Sequence, residues 1–363
     1  MNDLPALADR ADAVGNITSA VQVGFIIGTL VFSILTIADR FRPSWVFFFA
    51  ALAAAGCNLG TLWVGDNYSA VLLLRFLTGF LLAGIYPIGI KIAADWYETG
   101  LGKALGFLLG ALVLGTAFPH LLRGASWHFS WQHVVIFTSA FAFAGGLLIV
   151  FLVPDGPYKK QGSSFHFATL KEVFRAADLK ATAFGYFGHM WELYTFWAFL
   201  PVMIAYNADQ HHYTFPNVSL RTFFIIGIGG ISCMVGGYLA QKIGSAKVAF
   251  YALLCSGFCA LTSPFFITLP PWIFFGFLLV WGIAVTPDSP QFSTLTALTA
   301  PPAIKGTAVT AVICIGFAIS IASIQLFNYL MSLFPHQPGF LSMLAIGPLL
   351  GLVAFFRMLK RSA

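Results

Sequence analysis

The 363-residue chain is 59% hydrophobic, carries charged side chains at only 9% of its positions and has a mean hydropathy of +0.86. A soluble domain has about 25% charged residues, so this composition excludes a soluble protein, and the long unbroken apolar runs exclude a membrane β-barrel, whose strands alternate over about 10 residues. The net charge of +6 comes from basic residues at the ends of apolar runs, which does not indicate a nucleic-acid surface.

Eleven apolar runs predict an all-α polytopic membrane protein, because each is close to the roughly 20 residues that a helix needs to cross a bilayer. The longest polar stretch between them, 154–180, divides the chain into an N-terminal bundle (1–153), a linker (154–180) and a C-terminal bundle (181–363). In chain order, the runs are 17–37, 45–64, 69–94, 104–122, 133–153, 181–206, 220–240, 248–268, 272–299, 307–331 and 340–357.

A short charged segment, residues 37–44, connects the first two runs, and we call it the elbow. It contains Asp39, Arg40 and Arg42. When alternate loops are assigned to alternate sides, most of the 19 Lys and Arg residues fall on the side of the elbow. Because cytoplasmic loops are enriched in Lys and Arg, we expect the elbow and the C-terminus to be cytoplasmic. The N-terminus is then external, and we expect a membrane span before it that this sequence does not include.

Two further patterns lie between the first run and the second half of the chain. Gly102, Gly106 and Gly110 recur every four residues, which predicts close packing against another helix. In the linker, Phe167, Leu170 and Phe174 share one helical face, and this spacing predicts an amphipathic helix at the membrane surface. A simple solvated linker is the alternative.

The elbow has a counterpart in the second half of the chain, between the runs 220–240 and 248–268. This second turn is also short and basic, and internal repeats of this kind are typical of secondary transporters. Its notable residues are Gly237, Gln241, Lys242, Gly244 and Lys247.

The second turn, Gly237 to Lys247, resembles the loop motif of the major facilitator superfamily, Gly-x-Leu-Ala-Asp-Arg-x-Gly followed by basic residues. The elbow keeps the Asp39-Arg40 pair of that motif. The resemblance implies two pseudo-symmetric helical bundles and a plan of 12 helices, of which the first is absent from this chain. It also implies transport by alternating access, gating by both turns, no enzymatic activity, and a contact between Asp39 and the region of Gly306 and Thr307.

Ionisable residues inside the predicted spans are candidates for the transport pathway, because each costs about 2.5–3.5 kcal/mol to insert. Arg75 begins an Arg-x-x-x-Gly pattern that resembles the fourth-helix motif of the superfamily, although its side chain can also extend to the interface. His189 and Glu192 lie three residues apart on one helical face and form a candidate proton site. A hydrogen-bonded pair that only holds two helices together is the alternative.

The segment Pro287-Asp288-Ser289-Pro290-Gln291 predicts a broken helix, because prolines remove backbone donors. Asp288, Ser289 and Gln291 are therefore expected to face a cavity, since irregular backbone at membrane depth requires protein or water around it. A purely structural kink is the alternative.

We therefore predict a multi-pass transporter of the plasma or inner membrane that moves a small organic solute and is coupled to protons. The sequence indicates a monomer without cofactor or metal. The residues 185–192 and 288–291 also resemble a bacterial branch labelled nitrate- or cyanate-transporter-like, so a small inorganic anion is an alternative substrate. A truncated or sensor-like relative that does not transport is the alternative function.

Overall fold

The computed structural model describes residues 10, 12–125, 129–159, 166, 169–213, 217–335 and 337–362, and these are helical without any strand. The helices are α1 (Ala13–Ile34), α2 (Ile37–Arg40), α3 (Pro43–Val64), α4 (Tyr68–Leu82), α5 (Tyr86–Trp96), α6 (Leu101–Gly124), α7 (Trp131–Leu152), α8 (Leu170–Val173), α9 (Ala177–Gln210), α10 (Val218–Ile243), α11 (Ser245–Phe266), α12 (Pro271–Ala284), α13 (Asp288–Thr299), α14 (Lys305–Leu333) and α15 (Ile346–Ser362). Short 3₁₀ helices, Pro302–Ile304 and Pro338–Ala345, precede α14 and α15.

The all-α polytopic class predicted from the sequence is confirmed. Within the described residues, ten helical segments are long and apolar enough to cross a membrane, counting α4 with α5 and α12 with α13 as single spans. The predicted span 181–206 lies in α9, which has 34 residues but is not one of these ten. Its polar residues, including His189 and Glu192, lower its hydropathy, although its length exceeds that of a membrane span.

The structure divides into two compact units. The first contains Met1–Leu101, Phe129–Arg175 and Ala300–Ile321, and the second contains Gly102–His128, Ala176–Thr299 and Ala322–Ala363. Helix α6 belongs to the second unit apart from its first residue, and α14 contributes to both units. The division into bundles 1–153 and 181–363 with a linker 154–180 stays a prediction.

In the first unit, α1 and α4 cross with their backbones in contact. A Cβ on Gly24 would lie 2.0 Å from Phe76 O, and one on Gly79 would lie 1.9 Å from Val21 O. Small residues permit this approach, which provides the dispersion contacts that hold membrane helices together.

In the second unit, α6 packs against α10 through the glycine pattern found in the sequence. A Cβ on Gly106 would lie 2.9 Å from Cys233 O, and one on Gly110 would lie 2.7 Å from Gly230 O. The predicted close packing is therefore confirmed for these two glycines. The helices α9 and α15 approach each other in the same way, because a Cβ on Gly188 would lie 2.4 Å from Gly347 O.

The connections differ in part from their predictions. The elbow is not a simple turn, because its first residues form the one-turn helix α2. The amphipathic linker helix is reduced to α8, Leu170–Val173, which ends before Phe174. The predicted helix residue Phe167 lies outside the described residues.

Candidate functional site

The centre of the candidate site is a contact between α9 and α13 in the second unit. His189 Nδ1 lies 2.9 Å from Asp288 Oδ1, and both side chains are fully buried. The sequence pattern paired His189 with Glu192, whereas the structure places His189 against Asp288. Residues three positions apart on a helix differ by roughly 60° in direction, which is enough for each side chain to meet a different neighbour.

Several polar atoms of this contact lack hydrogen-bond partners among the described residues. They are Nε2 of His189, Oδ2 of Asp288, and both amide atoms of the fully buried Gln291. Asp288 and Gln291 lie three residues apart, so they are on the same side of α13. Buried polar groups are almost always hydrogen-bonded, and a cluster of exceptions calls for an explanation by water, an ion or a ligand.

Glu192 lies one turn beyond His189 on α9 and is also fully buried. Ser256 of α11 donates a hydrogen bond to Glu192 Oε2 at 2.8 Å, and the indole Nε1 of Trp281 on α12 donates to Oε1 at 2.6 Å. Two neutral donors from two helices thus hold the carboxyl group of Glu192.

The segment Val285 to Pro287 separates α12 from α13, so the break predicted from the prolines is confirmed. Thr286 Oγ1 donates to Gly229 O at 2.8 Å, and the Cys233 thiol donates to Thr286 O at 3.2 Å. Helix α10 therefore satisfies polar groups that the break releases, as irregular backbone at membrane depth requires. Ser289 is half-buried just after the break, and its N–H donates to Thr286 O at 3.2 Å.

Arg75 belongs to the first unit. Its Nη2 donates to Asn58 Oδ1 at 2.8 Å, and Asn58 Nδ2 in turn donates to Ser139 Oγ at 2.9 Å. Arg75 is thus part of a polar network that connects α4, α3 and α7.

The predicted gating residues of the elbow have partners within the first unit. Asp39 forms an ion pair with Lys91 of the α5 helix. Arg40 Nε donates to Thr36 Oγ1 at 3.1 Å, and Arg42 lies 3.5 Å from Asp155. The expected contact of Asp39 with the start of α14 stays a prediction.

The second turn is tighter than the elbow. Gly244 alone connects α10 to α11 and has φ +88°, a conformation that glycine adopts without strain. Gly237 lies where a Cβ would be 3.2 Å from the backbone of Lys103. Gln241 and Lys242 are exposed, and Lys247 is half-buried.

Sequence reasoning missed Ser256 and Trp281, and it included Thr286 only as part of the proline-containing segment. Serine, threonine and tryptophan are ordinary residues of membrane helices, so only the packing reveals their contacts. In the part of the chain that the structure describes, no group of three or more His, Cys, Asp or Glu side chains is placed to hold a metal ion.

The chain is similar to known proteins in both structure and sequence. The crystal structure of the Escherichia coli fucose:proton symporter FucP superposes with a TM-score of 0.69 at 13% identity, over 98% of this chain and 93% of that one. In sequence, the chain is 28% identical over 99 residues to the MFS transporter prlL of a fungal species (strain NRRL 50135). That match spans 25% of this chain and 20% of the relative.

The described helices and this superposition define a multi-pass helical membrane protein. The family model described as Major Facilitator Superfamily matches residues 6–324. The chain belongs to this superfamily.

Proposed function

We propose that the protein transports a small organic solute together with or against protons, through the buried polar cluster of the second unit. The proposal depends chiefly on one observation: His189, Asp288 and Gln291 carry fully buried polar atoms without hydrogen-bond partners among the described residues. Such atoms are costly when left alone, so they favour a ligand, a proton or water that joins them during the transport cycle.

The charges of the cluster support a cationic or zwitterionic solute. Glu192 and Asp288 are fully buried, whereas no Lys or Arg is among the buried residues of the described ranges. A carboxylate attracts an ammonium group or a proton and repels an anion. This argument supports an organic solute over the inorganic anion suggested by the resemblance to nitrate- and cyanate-transporter-like proteins.

Sidedness and gating are part of the same proposal. The Lys and Arg distribution supports a plasma or inner membrane location with the elbow and the C-terminus in the cytoplasm. The elbow residues Asp39, Arg40 and Arg42 and the second turn at Gly244 are each proposed to take part in gating, and the protein is proposed to be a monomer.

Transport in proteoliposomes with an imposed pH gradient tests the proposal. We expect Glu192→Gln to abolish gradient-driven flux, because an amide of the same shape cannot bind and release a proton, while the protein remains folded. Glu172→Gln is the matched control, since Glu172 is an exposed carboxylate on α8, and we expect its flux to equal that of the unsubstituted protein.

Two results would contradict the proposal. Gradient-dependent flux in Glu192→Gln equal to that of the unsubstituted protein would remove the carboxyl group from the mechanism. If a broad panel of solutes shows no gradient-dependent flux with the unsubstituted protein, the non-transporting, sensor-like relative becomes the better description.

A further inference from the structure

Apart from the polar cluster of the second unit, the structure contains an apolar groove at the elbow in the first unit. It has a volume of about 420 Å³, and we call it the elbow groove. This volume lies within the range of about 300–1,000 Å³ that is typical of ligand pockets. Its walls come from the end of α1, from the elbow, from the start of α3 and from α4, and include Phe32, Ile37, Phe41, Trp45, Phe49 and Leu81.

The elbow groove lies at one end of its membrane helices and is open on one side. Phe41 is 61% exposed and Phe49 is 58% exposed, although both are large apolar side chains. The groove begins where α1 ends and α3 starts. Because α1 and α3 are long and apolar enough to cross a membrane, their ends are expected at the boundary between hydrocarbon and water. Trp45, 43% exposed, lies where aromatic residues are enriched in membrane proteins.

Arg40 lies in the same elbow between two groove residues, Ile37 and Phe41. Its Nε is held by the hydroxyl of Thr36, which leaves the two terminal nitrogens of the guanidinium for another acceptor. Within the described ranges, no carboxylate lies within ion-pair distance of Arg40, whereas the neighbouring Arg42 faces Asp155. The paired terminal nitrogens match two oxygens of a phosphate.

The backbone supports this arrangement of Arg40. Thr36 has φ 50°, in the left-handed region that β-branched residues rarely adopt. Backbone outliers of this kind persist where surrounding structure holds them and are concentrated at ligand sites. Here the unusual conformation precedes α2 and presents the Thr36 hydroxyl to Arg40.

We propose that the elbow groove binds one anionic phospholipid, with an acyl chain on the aromatic wall and the phosphate on Arg40. An apolar groove beside a cation at the membrane boundary matches a phospholipid better than a soluble solute. The acyl chain would contact the aromatic wall, and the phosphate would contact Arg40. A polybasic or arginine site near an anionic leaflet contributes about 1 kcal/mol per basic residue, which is about a fivefold change in affinity.

Native mass spectrometry of the purified full chain tests the proposal with phosphatidylglycerol and phosphatidylcholine of identical acyl chains. We expect preferential retention of phosphatidylglycerol, reduced about fivefold in Arg40→Gln. Arg40→Lys retains the charge but not the paired nitrogens of the guanidinium, so its retention of phosphatidylglycerol should be intermediate. Phe41→Ser should weaken retention of both lipids, because it removes an exposed part of the wall that holds the acyl chain.

Lys242→Gln is the matched control, since Lys242 is an exposed cation of the second turn and lies outside the elbow groove. We expect it to retain phosphatidylglycerol like the unsubstituted protein. The proposal is wrong if Arg40→Gln retains phosphatidylglycerol fully, or if Lys242→Gln loses as much of this lipid as Arg40→Gln does. It is also wrong if the unsubstituted protein retains phosphatidylglycerol and phosphatidylcholine equally. Binding of glycerol phosphate as strong as that of the lipid would show a site for free phosphate instead.

Discussion

At the scale of single residues, Glu192 and Asp288 have different surroundings although both are fully buried. Glu192 has two neutral donors, Ser256 and Trp281, from two other helices. Asp288 Oδ1 lies 2.9 Å from Nδ1 of His189, and its second oxygen has no hydrogen-bond partner in the described ranges. Glu192 is thus the better-satisfied carboxyl group, and Asp288 is the one with an oxygen that lacks a donor.

The hydrogen bond from Trp281 to Glu192 predicts a measurable effect on stability. Trp281→Phe should lower the free energy of unfolding by about 1–3 kcal/mol, because it leaves a buried carboxyl oxygen without its donor. Trp197→Phe is a matched control, since Trp197 is also buried but its Nε1 has no hydrogen-bond partner among the described residues. Thermal unfolding in detergent measures both variants. Equal losses in the two would mean that ring volume, and not the hydrogen bond, is responsible.

The residues of the candidate site divide clearly into those that the sequence could predict and those that it could not. Glu192 and Asp288 were predictable, because a charge inside an apolar run is costly and stands out. The partner of His189 was not, because helical spacing restricts a side chain to a face but does not determine which neighbouring helix it meets. Trp281 gave no signal, since tryptophan is common in membrane helices.

At the scale of helices, length and hydropathy predicted the existence of the spans. The structure of the connections between the spans was predicted only in part. The broken helix between α12 and α13 followed from its prolines, whereas the one-turn helix α2 in the elbow did not follow from any pattern. The linker was predicted as an amphipathic helix, but Val173, at the end of α8, is fully buried and not at an open surface.

The crossing of α1 and α4 predicts an effect on stability at the same scale. Gly79→Ala should cost about 1–3 kcal/mol, because the added Cβ would meet the backbone of Val21 at 1.9 Å and the helices would have to separate. Gly56→Ala on α3 is the control, since nothing lies within 4 Å of its Cβ position. Comparison of the two midpoints of thermal unfolding gives the difference, and a Gly79→Ala midpoint equal to that of the control would contradict the crossing.

At the scale of the whole molecule, the sequence predicted the class and family correctly, and its division into two bundles stays a prediction. The compact units assign α6 to the second unit and divide α14 between both. Chain order alone suggested a division at the linker, because contiguous segments usually pack together. The close glycine contacts of α6 with α10 join two helices that chain order places on either side of the linker.

Membrane orientation is also a property of the whole molecule and can be tested directly. With a membrane-impermeant maleimide, we expect Lys242→Cys to react only after the membrane is permeabilised, because the second turn is predicted to be cytoplasmic. Asp66→Cys, in the connection between α3 and α4, should react in intact cells. The unsubstituted chain is the reference for labelling of its own cysteines, and the reverse pattern would overturn the proposed orientation.

The contact of Trp281 with Glu192 also has an optical consequence. An indole whose N–H is bonded to a carboxyl group emits differently when that group gains or loses a proton, so Trp281 is a built-in fluorophore for the charge of Glu192. The chain has nine tryptophans, and the difference spectrum between the unsubstituted protein and Trp281→Phe isolates this emission from the other eight. The proton uptake proposed at Glu192 should therefore change this emission, which can be measured without an attached dye.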